Sequence, residues 1–174
     1  MHYLKKTYLL LLVSGLLAGL LITNSGCNIY KFNEAVIPDS IKTVMVKYIE
    51  NRASYVNPQL SPKLTDKLRQ KIIGQTRLTQ VNNDNADWVV SGEIRSYSLS
   101  TSAISGQQVV NNRLTIGVHI VLDGAKTDKK KEFDVSRSFE FKGTQSLQQA
   151  ENEQGEEMIR TLTDEIFNRL FSDW

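Results

Sequence analysis

Arg113-Leu114-Thr115-Ile116-Gly117-Val118-His119-Ile120-Val121-Leu122 is the stretch that decides the fold. Leu114, Ile116, Val118, Ile120 and Leu122 alternate strictly with Arg113, Thr115, Gly117, His119 and Val121. A period of two puts the aliphatic set on one face of a strand and the half-polar set on the other. That pattern suits an antiparallel sheet with one covered side. His119 lies on the polar face and reads as a surface histidine.

Working outward, Asp123-Gly124 opens a hairpin loop that carries Lys126, Lys129, Lys130 and Lys131. A further strand follows, with Phe133, Val135, Phe139 and Phe141 on one face; Arg137 falls among them, near an end or against a partner. Upstream, Trp88 to about Thr101 reads as a strand, with Trp88, Val90 and Ile94 on one face and Val89, Tyr97 and Leu99 on the other. Ile104-Ser105-Gly106 then reads as a flexible connection to Asn111-Asn112. Ile41 to Ile49 gives the first strand, and Glu50 to Pro58 an irregular polar loop. Ser61-Pro62 opens a helix with Ser61 as N-cap, Pro62 at its first position and Gly74 as its end. Its apolar stripe is Leu60, Leu64, Leu68 and Ile72. Its opposite face holds Lys63, Lys67, Lys71, Asp66 and Arg69, a mainly basic face either solvated or facing an anionic partner. Leu78 and Gln80 add a short extended piece. The last helix starts at about Ser146 or later and ends at Phe171, with Met158, Ile159, Leu162, Ile166 and Leu170 as its stripe. Gly155 weakens its first part, so its firm portion is expected to begin near there. The order β-α-β-β-β-α predicts an α+β two-layer sandwich, a four-stranded, mostly antiparallel sheet with two helices on one face.

The N-terminus reads differently. Lys5-Lys6 precede an almost wholly apolar run from Leu9 to Ile22, then Asn24-Ser25-Gly26-Cys27. Positive charge, a short greasy core and small residues make a secretory leader. The run is shorter than the ~20 residues that span a bilayer. Ser25-Gly26-Cys27 resembles a bacterial lipobox, although Asn24 stands where that pattern has Leu, Val or Ile. The expected organisation is a lipoprotein signal peptide at 1–26, a lipidated tether at 27–40 and one α+β domain at 41–174. Two or three acyl chains on Cys27 would hold the domain on a membrane durably. Asn28 and the lack of an acidic run after Cys27 resemble lipoproteins of the outer membrane's inner leaflet.

Without residues 1–26 the chain keeps 19 basic and 19 acidic residues. The basic pI belongs to the leader, and nothing in the charge points to nucleic acid. Cys27 to Lys131 holds 15 basic and 9 acidic residues, and Glu132 to Trp174 holds 4 and 10. The two halves either pair with each other or make a two-signed surface. Beyond Cys27 there is no cysteine, and His119 is the one histidine of the mature chain. No metal-ligand spacing, phosphate loop or nucleophile elbow is present, so neither an enzyme nor a cofactor is expected.

Several stretches resemble the LptE-like lipopolysaccharide-assembly lipoproteins of Bacteroidota: Cys27-x-x-Tyr30-x-Phe32, Ile37-Pro38, and Val46-x-Tyr48-x-x-Asn51-Arg52-Ala53-x-x-Val56-Asn57-Pro58-x-Leu60-Ser61. The similarity continues through Gly92-Glu93-Ile94, Asn112 to Ile116 and Trp174, and its most specific part is Asn51 to Ser61. The resemblance implies an outer-membrane, periplasm-facing lipoprotein lodged in the β-barrel lipopolysaccharide translocon, which it helps to assemble and plugs. It also implies two helices on a four-stranded sheet. On that footing Asn51, Arg52, Tyr55, Asn57 and Pro58 are expected to touch the barrel. Lys126, Lys129, Lys130, Lys131 and Arg113 are candidate contacts for lipid phosphates, or else ordinary exposed cations. The alternative is a structural lipoprotein of another outer-membrane complex, without lipid cargo. One consequence is directly measurable: the mature N-terminus should be an acylated Cys27 by mass spectrometry, and an unmodified Cys27 there would refute lipidation.

Overall fold

The computed structural model describes residues 37–83, 85–106, 108–124 and 130–171. The leader, Cys27, Tyr30, Phe32, Lys126, Lys129 and Trp174 therefore lie outside the described residues. Eight elements follow in order: β1 Thr43–Val46, β2 Glu50–Asn51, α1 Leu60–Gln75, β3 Thr79–Gln80, β4 Trp88–Ser105, β5 Gln108–Asp123, β6 Lys130–Lys142 and α2 Leu147–Phe171. The α+β class and the two helices agree with the sequence reading. The sheet does not have four strands but six, in the order β3-β1-β4-β5-β6, with β2 also on β4. It is mixed: β4, β5 and β6 form an antiparallel meander, while β1 and β2 run parallel to β4. Strands of two residues carry no periodicity, so β2 reads as loop until its partner is known, while β3 is the short extended piece expected at Leu78 and Gln80.

The strict alternation of β5 becomes a core face, with Leu114, Ile116, Val118 and Ile120 at most 1% exposed. The helices bury their stripes against it. Leu64, Leu68 and Ile72 of α1 and Leu162 and Ile166 of α2 are fully enclosed, each such side chain contributing about 1.5–3 kcal/mol. Trp88 packs on Phe171 with ring centres 6.1 Å apart, closing one end of this core.

Four local readings change. The first strand is shorter than Ile41–Ile49: Lys47 N still donates to Val90 O of β4 at 2.8 Å, and the chain around it is tied to α1. The guanidinium of Arg69 donates to Val46 O at 3.1 Å, and Ile49 N donates to the Thr65 hydroxyl at 3.0 Å. Ser61 is not an N-cap but sits one residue inside α1; the capping position is Gln59, and the helix runs through Gly74 to Gln75. The α2 helix passes unbroken through Gly155, accepting the cost of about 1 kcal/mol that a helix-interior glycine carries. Tyr97 does not share a face with Val89. The register moves from Ile94↔Val118 to Ser96↔Gly117, leaving Arg95 as an extra residue. One inserted residue exchanges the two faces, so Tyr97 joins the core at 5% exposure. Gly117 makes room for this bulge: a Cβ there would lie 2.3 Å from Ser96 Oγ.

The segment after Thr101 is not a loose connection. β4 and β5 stay paired to Ser105↔Gln108 and turn at Gly106, whose φ of 63° suits glycine. Pairing with β6 stops at Asn111↔Lys142, so the hairpin tip is a two-stranded ribbon. No residue from Ser96 to Asn112 is charged, and Leu99, Ile104 and Val110 stand exposed along it.

Asp87 joins β1 to β4. It is 3% exposed, and its Oδ2 accepts from Lys42 N, Thr43 N and Thr43 Oγ1, each at 2.9 Å. Replacing it strands buried donors. Asp87→Ala should cost about 3 kcal/mol in chemical denaturation; a loss below about 1 kcal/mol would show that this clamp is dispensable.

Candidate functional site

The loop from Asn51 to Pro58 leaves the sheet beside β4 and enters α1, and its side chains explain its sequence. Asn51 Oδ1 accepts from Ala53 N at 3.0 Å, and Asn57 Oδ1 accepts from Gln59 N at 2.9 Å. Both are Asx turns, which a short carboxamide side chain supplies. The first closes the exit from β2 and the second starts α1. Between them Ala53 is buried, while Tyr55 and Val56 are exposed.

Tyr55 stacks on Tyr97 with ring centres 5.0 Å apart. Both phenols donate to one carboxylate on α2: Tyr97 to Glu151 Oε1 at 2.5 Å and Tyr55 to Glu151 Oε2 at 3.3 Å. Burial pushes both phenols up, and the negative charge of Glu151 adds to the effect. Loop, sheet and helix thus meet at three side chains 96 residues apart at their extremes. Beside them a cleft of about 230 Å³ runs between the first turns of α1 and the early turns of α2, lined by Pro58, Leu60, Lys63, Tyr97 and Gly155 among others.

Arg52 points the other way, onto the sheet's open face. It binds Glu50 Oε2 through its Nε at 3.1 Å and its terminal nitrogen at 2.8 Å, and lies 3.3 Å from Glu93. Arg95 continues the row to Glu93 at 2.6 Å and Asp134 at 3.6 Å, and His119 meets Asp134 at 2.9 Å. The Arg95 bond holds the Glu93 carboxyl below its usual range. His119, read as an unremarkable surface residue, is a member of this ladder.

Among the described candidate phosphate contacts, Lys130 and Arg113 lie far apart along β5. Lys130 starts β6 and pairs with Glu132 at 2.6 Å. Arg113 pairs with Glu140 at 2.7 Å. Lys130 faces Asp123 in register, so ten residues of β5, roughly 33 Å, separate it from Arg113. The charged halves of the chain pair with each other at many points. Lys63 meets Glu156 at 3.2 Å and Lys71 meets Asp164 at 2.7 Å; within the acidic half, Arg137 of β6 meets Glu165 of α2. Arg137 is therefore the sheet's partner for α2, which accounts for a cation on an apolar face. Sequence reading missed Tyr97 and Glu151, since nothing local marks a bulge. Among the described residues no group of three or more His, Cys, Asp or Glu side chains could hold a metal ion. No helix of theirs is long and apolar enough to cross a membrane.

The family profile described as "LptE: Lipopolysaccharide-assembly" matches residues 41–170. No curated protein sequence matches the chain. Among solved structures, a hypothetical protein of Chlamydia trachomatis is similar in fold, with a TM-score of 0.54 at 11% identity over 75% of this chain and 95% of that one. Lipoprotein B of Nitrosomonas europaea gives 0.47 at 14% identity, covering 80% and 84%. A minor lipoprotein of Acinetobacter baumannii gives 0.41 at 15%, covering 76% and 91%.

The raised phenols carry a sign. A group that holds its proton more tightly when folded lends stability below its unfolded pKa, about 10 for tyrosine, and loses it as pH rises toward the folded value. The folded chain should therefore weaken above about pH 10, and Tyr97→Phe should flatten that decline in thermal melts. An unchanged alkaline slope in Tyr97→Phe would contradict the assignment.

Proposed function

This chain belongs to the LptE lipopolysaccharide-assembly family, and we propose from that premise that it is an outer-membrane lipoprotein seated in the β-barrel lipopolysaccharide translocon. The observation that carries this reading is the extent of the family match, residues 41–170, which takes in every element from β1 to α2. Acylated Cys27 would tether the domain to the membrane, and the domain would help the barrel to assemble and act as its plug.

Two features of the domain favour a protein partner. The Asn51–Pro58 loop is anchored at both ends by Asx turns and by the Tyr55–Tyr97 stack, yet presents Tyr55 and Val56 outward. A rigid loop that shows an aromatic and an aliphatic side chain loses little entropy on docking. The two-stranded tip beyond Asn111, with Ile104 and Val110 exposed, offers a second surface whose own residues carry no charge, so burying it desolvates no ion of its own. Lipid phosphates would be met by Lys126, Lys129, Lys130 and Lys131 and, at the far end of β5, by Arg113. The exposed pairs of Lys130 with Glu132 and Arg113 with Glu140 are of the kind worth about 0–1 kcal/mol, so a phosphate can compete for both cations.

Photo-crosslinkers at Arg52 and Val56 in intact membranes should capture a large outer-membrane β-barrel of the lipopolysaccharide translocon, identified by mass spectrometry. Consistent capture of a different envelope protein, with no barrel, would instead favour a scaffold without lipid cargo. In a separate binding assay, reversing Lys126, Lys129 and Lys130 to Glu should weaken lipopolysaccharide binding by about tenfold or more. Unchanged binding would remove the lysine turn from the mechanism.

A further inference from the structure

The cleft beside Tyr97 has a composition that neither the barrel contact nor a phosphate contact accounts for. Its floor is apolar, made by Leu60, Met158 and Ile159, all buried. Its rim carries carboxamides, those of Gln59, Gln148 and Asn152, each able to donate and accept together. Its charges are already engaged: Lys63 holds Glu156 at 3.2 Å, and Glu151 receives the Tyr55 and Tyr97 hydroxyls. One cation against two carboxylates repels a phosphate and gives no reason to admit one.

Gly155 supplies an independent observation. It lines the cleft from the interior of α2, where glycine weakens a helix. A Cβ at this position would meet no atom within 4 Å, so no packing constraint calls for glycine. Gly74 is similarly unobstructed but lies in the last turn of α1. A residue that costs helix stability and relieves no clash, set at the wall of a polar cleft, keeps that cleft open.

We infer that this cleft is a binding site for a single neutral sugar unit of a saccharide. A volume of about 230 Å³ suits one hexopyranose ring. The ring's C–H face would lie on Leu60, Met158 and Ile159, and its hydroxyls would exchange hydrogen bonds with the rim carboxamides. The site is separate from the lysine turn, and it goes beyond the barrel reading without depending on it.

The test uses the ¹⁵N-labelled full chain in detergent, followed by NMR. One arm adds dephosphorylated, lipid-free core oligosaccharide from lipopolysaccharide; the other adds dextran, a neutral glucan. Shifts at the Gly155 amide and the Asn152 side-chain amide in either arm support the site, and the arm that responds identifies the source of the sugar. Gly155→Met should keep or raise the melting temperature, retain barrel capture, and weaken saccharide binding by about tenfold or more. Asn152→Ala, at an exposed helical position, should weaken it without loss of fold. Silence at both amides in both arms overturns the proposal, as does a Gly155→Met protein that binds saccharide like the parent. Loss of barrel capture in Gly155→Met with no saccharide response would also overturn it, and would give the cleft to the protein partner.

Discussion

One surplus residue in β4, Arg95, governs the working end of this domain. Before it, Trp88, Val90 and Ile94 face the helices; after it, Tyr97 does. Without the bulge the Tyr97 phenol would stand on the open face of the sheet, and Glu151 would lose its closer hydroxyl. The loop's Tyr55 would then have nothing to stack on. The glycine opposite, Gly117, lets the Ser96 hydroxyl lie over it, and a side chain there would force that hydroxyl to turn away. A backbone irregularity of one residue thus links a sheet, a loop and a helix that are remote in sequence.

Around that junction the charges are arranged to cancel. The first part of the chain is rich in cations and the last part in carboxylates, and folding lays α1 against α2 so that Lys63 and Lys71 face Glu156 and Asp164. The open face of the sheet does the same through Glu50, Arg52, Glu93, Arg95, Asp134 and His119. Pairs this exposed add little to stability. Among the described residues their effect is to leave few cations uncommitted, in contrast to the mainly basic face that the sequence of α1 suggests.

Much of the architecture was legible from periodicity. The aliphatic alternation of β5 and the four-residue spacing in α1 have one reading each, and both elements form with the faces read, though their ends differ. Elements that depend on distant partners were not legible. β2 is two residues long and exists only because β4 offers it a ladder. The segment from Ile104 to Asn112 reads as a flexible connection because its polar residues and Gly106 hide the pairing. At the site, the stretch from Asn51 to Ser61 stood out by its resemblance to a family, and its two asparagines now have a physical role as turn formers. Tyr97 and Glu151 gave no local signal. A bulge leaves the composition of a strand unchanged, and a glutamate early in an acidic helix looks like its neighbours.

The two ends of the domain are not equivalent. Ile37, where the described chain begins, is held by Arg77, whose guanidinium donates to the Ile37 carbonyl and pairs with Asp39. This is the end at which β1 and β4 start and Trp88 meets Phe171. The Tyr55 loop, the cleft and the β4–β5 tip lie at the opposite end, because β1 and β4 both run toward them. The candidate surfaces are divided between the ends as well: Lys130, opposite Asp123 and Val89, stands at the Trp88 end, and the Tyr55 loop stands at the other.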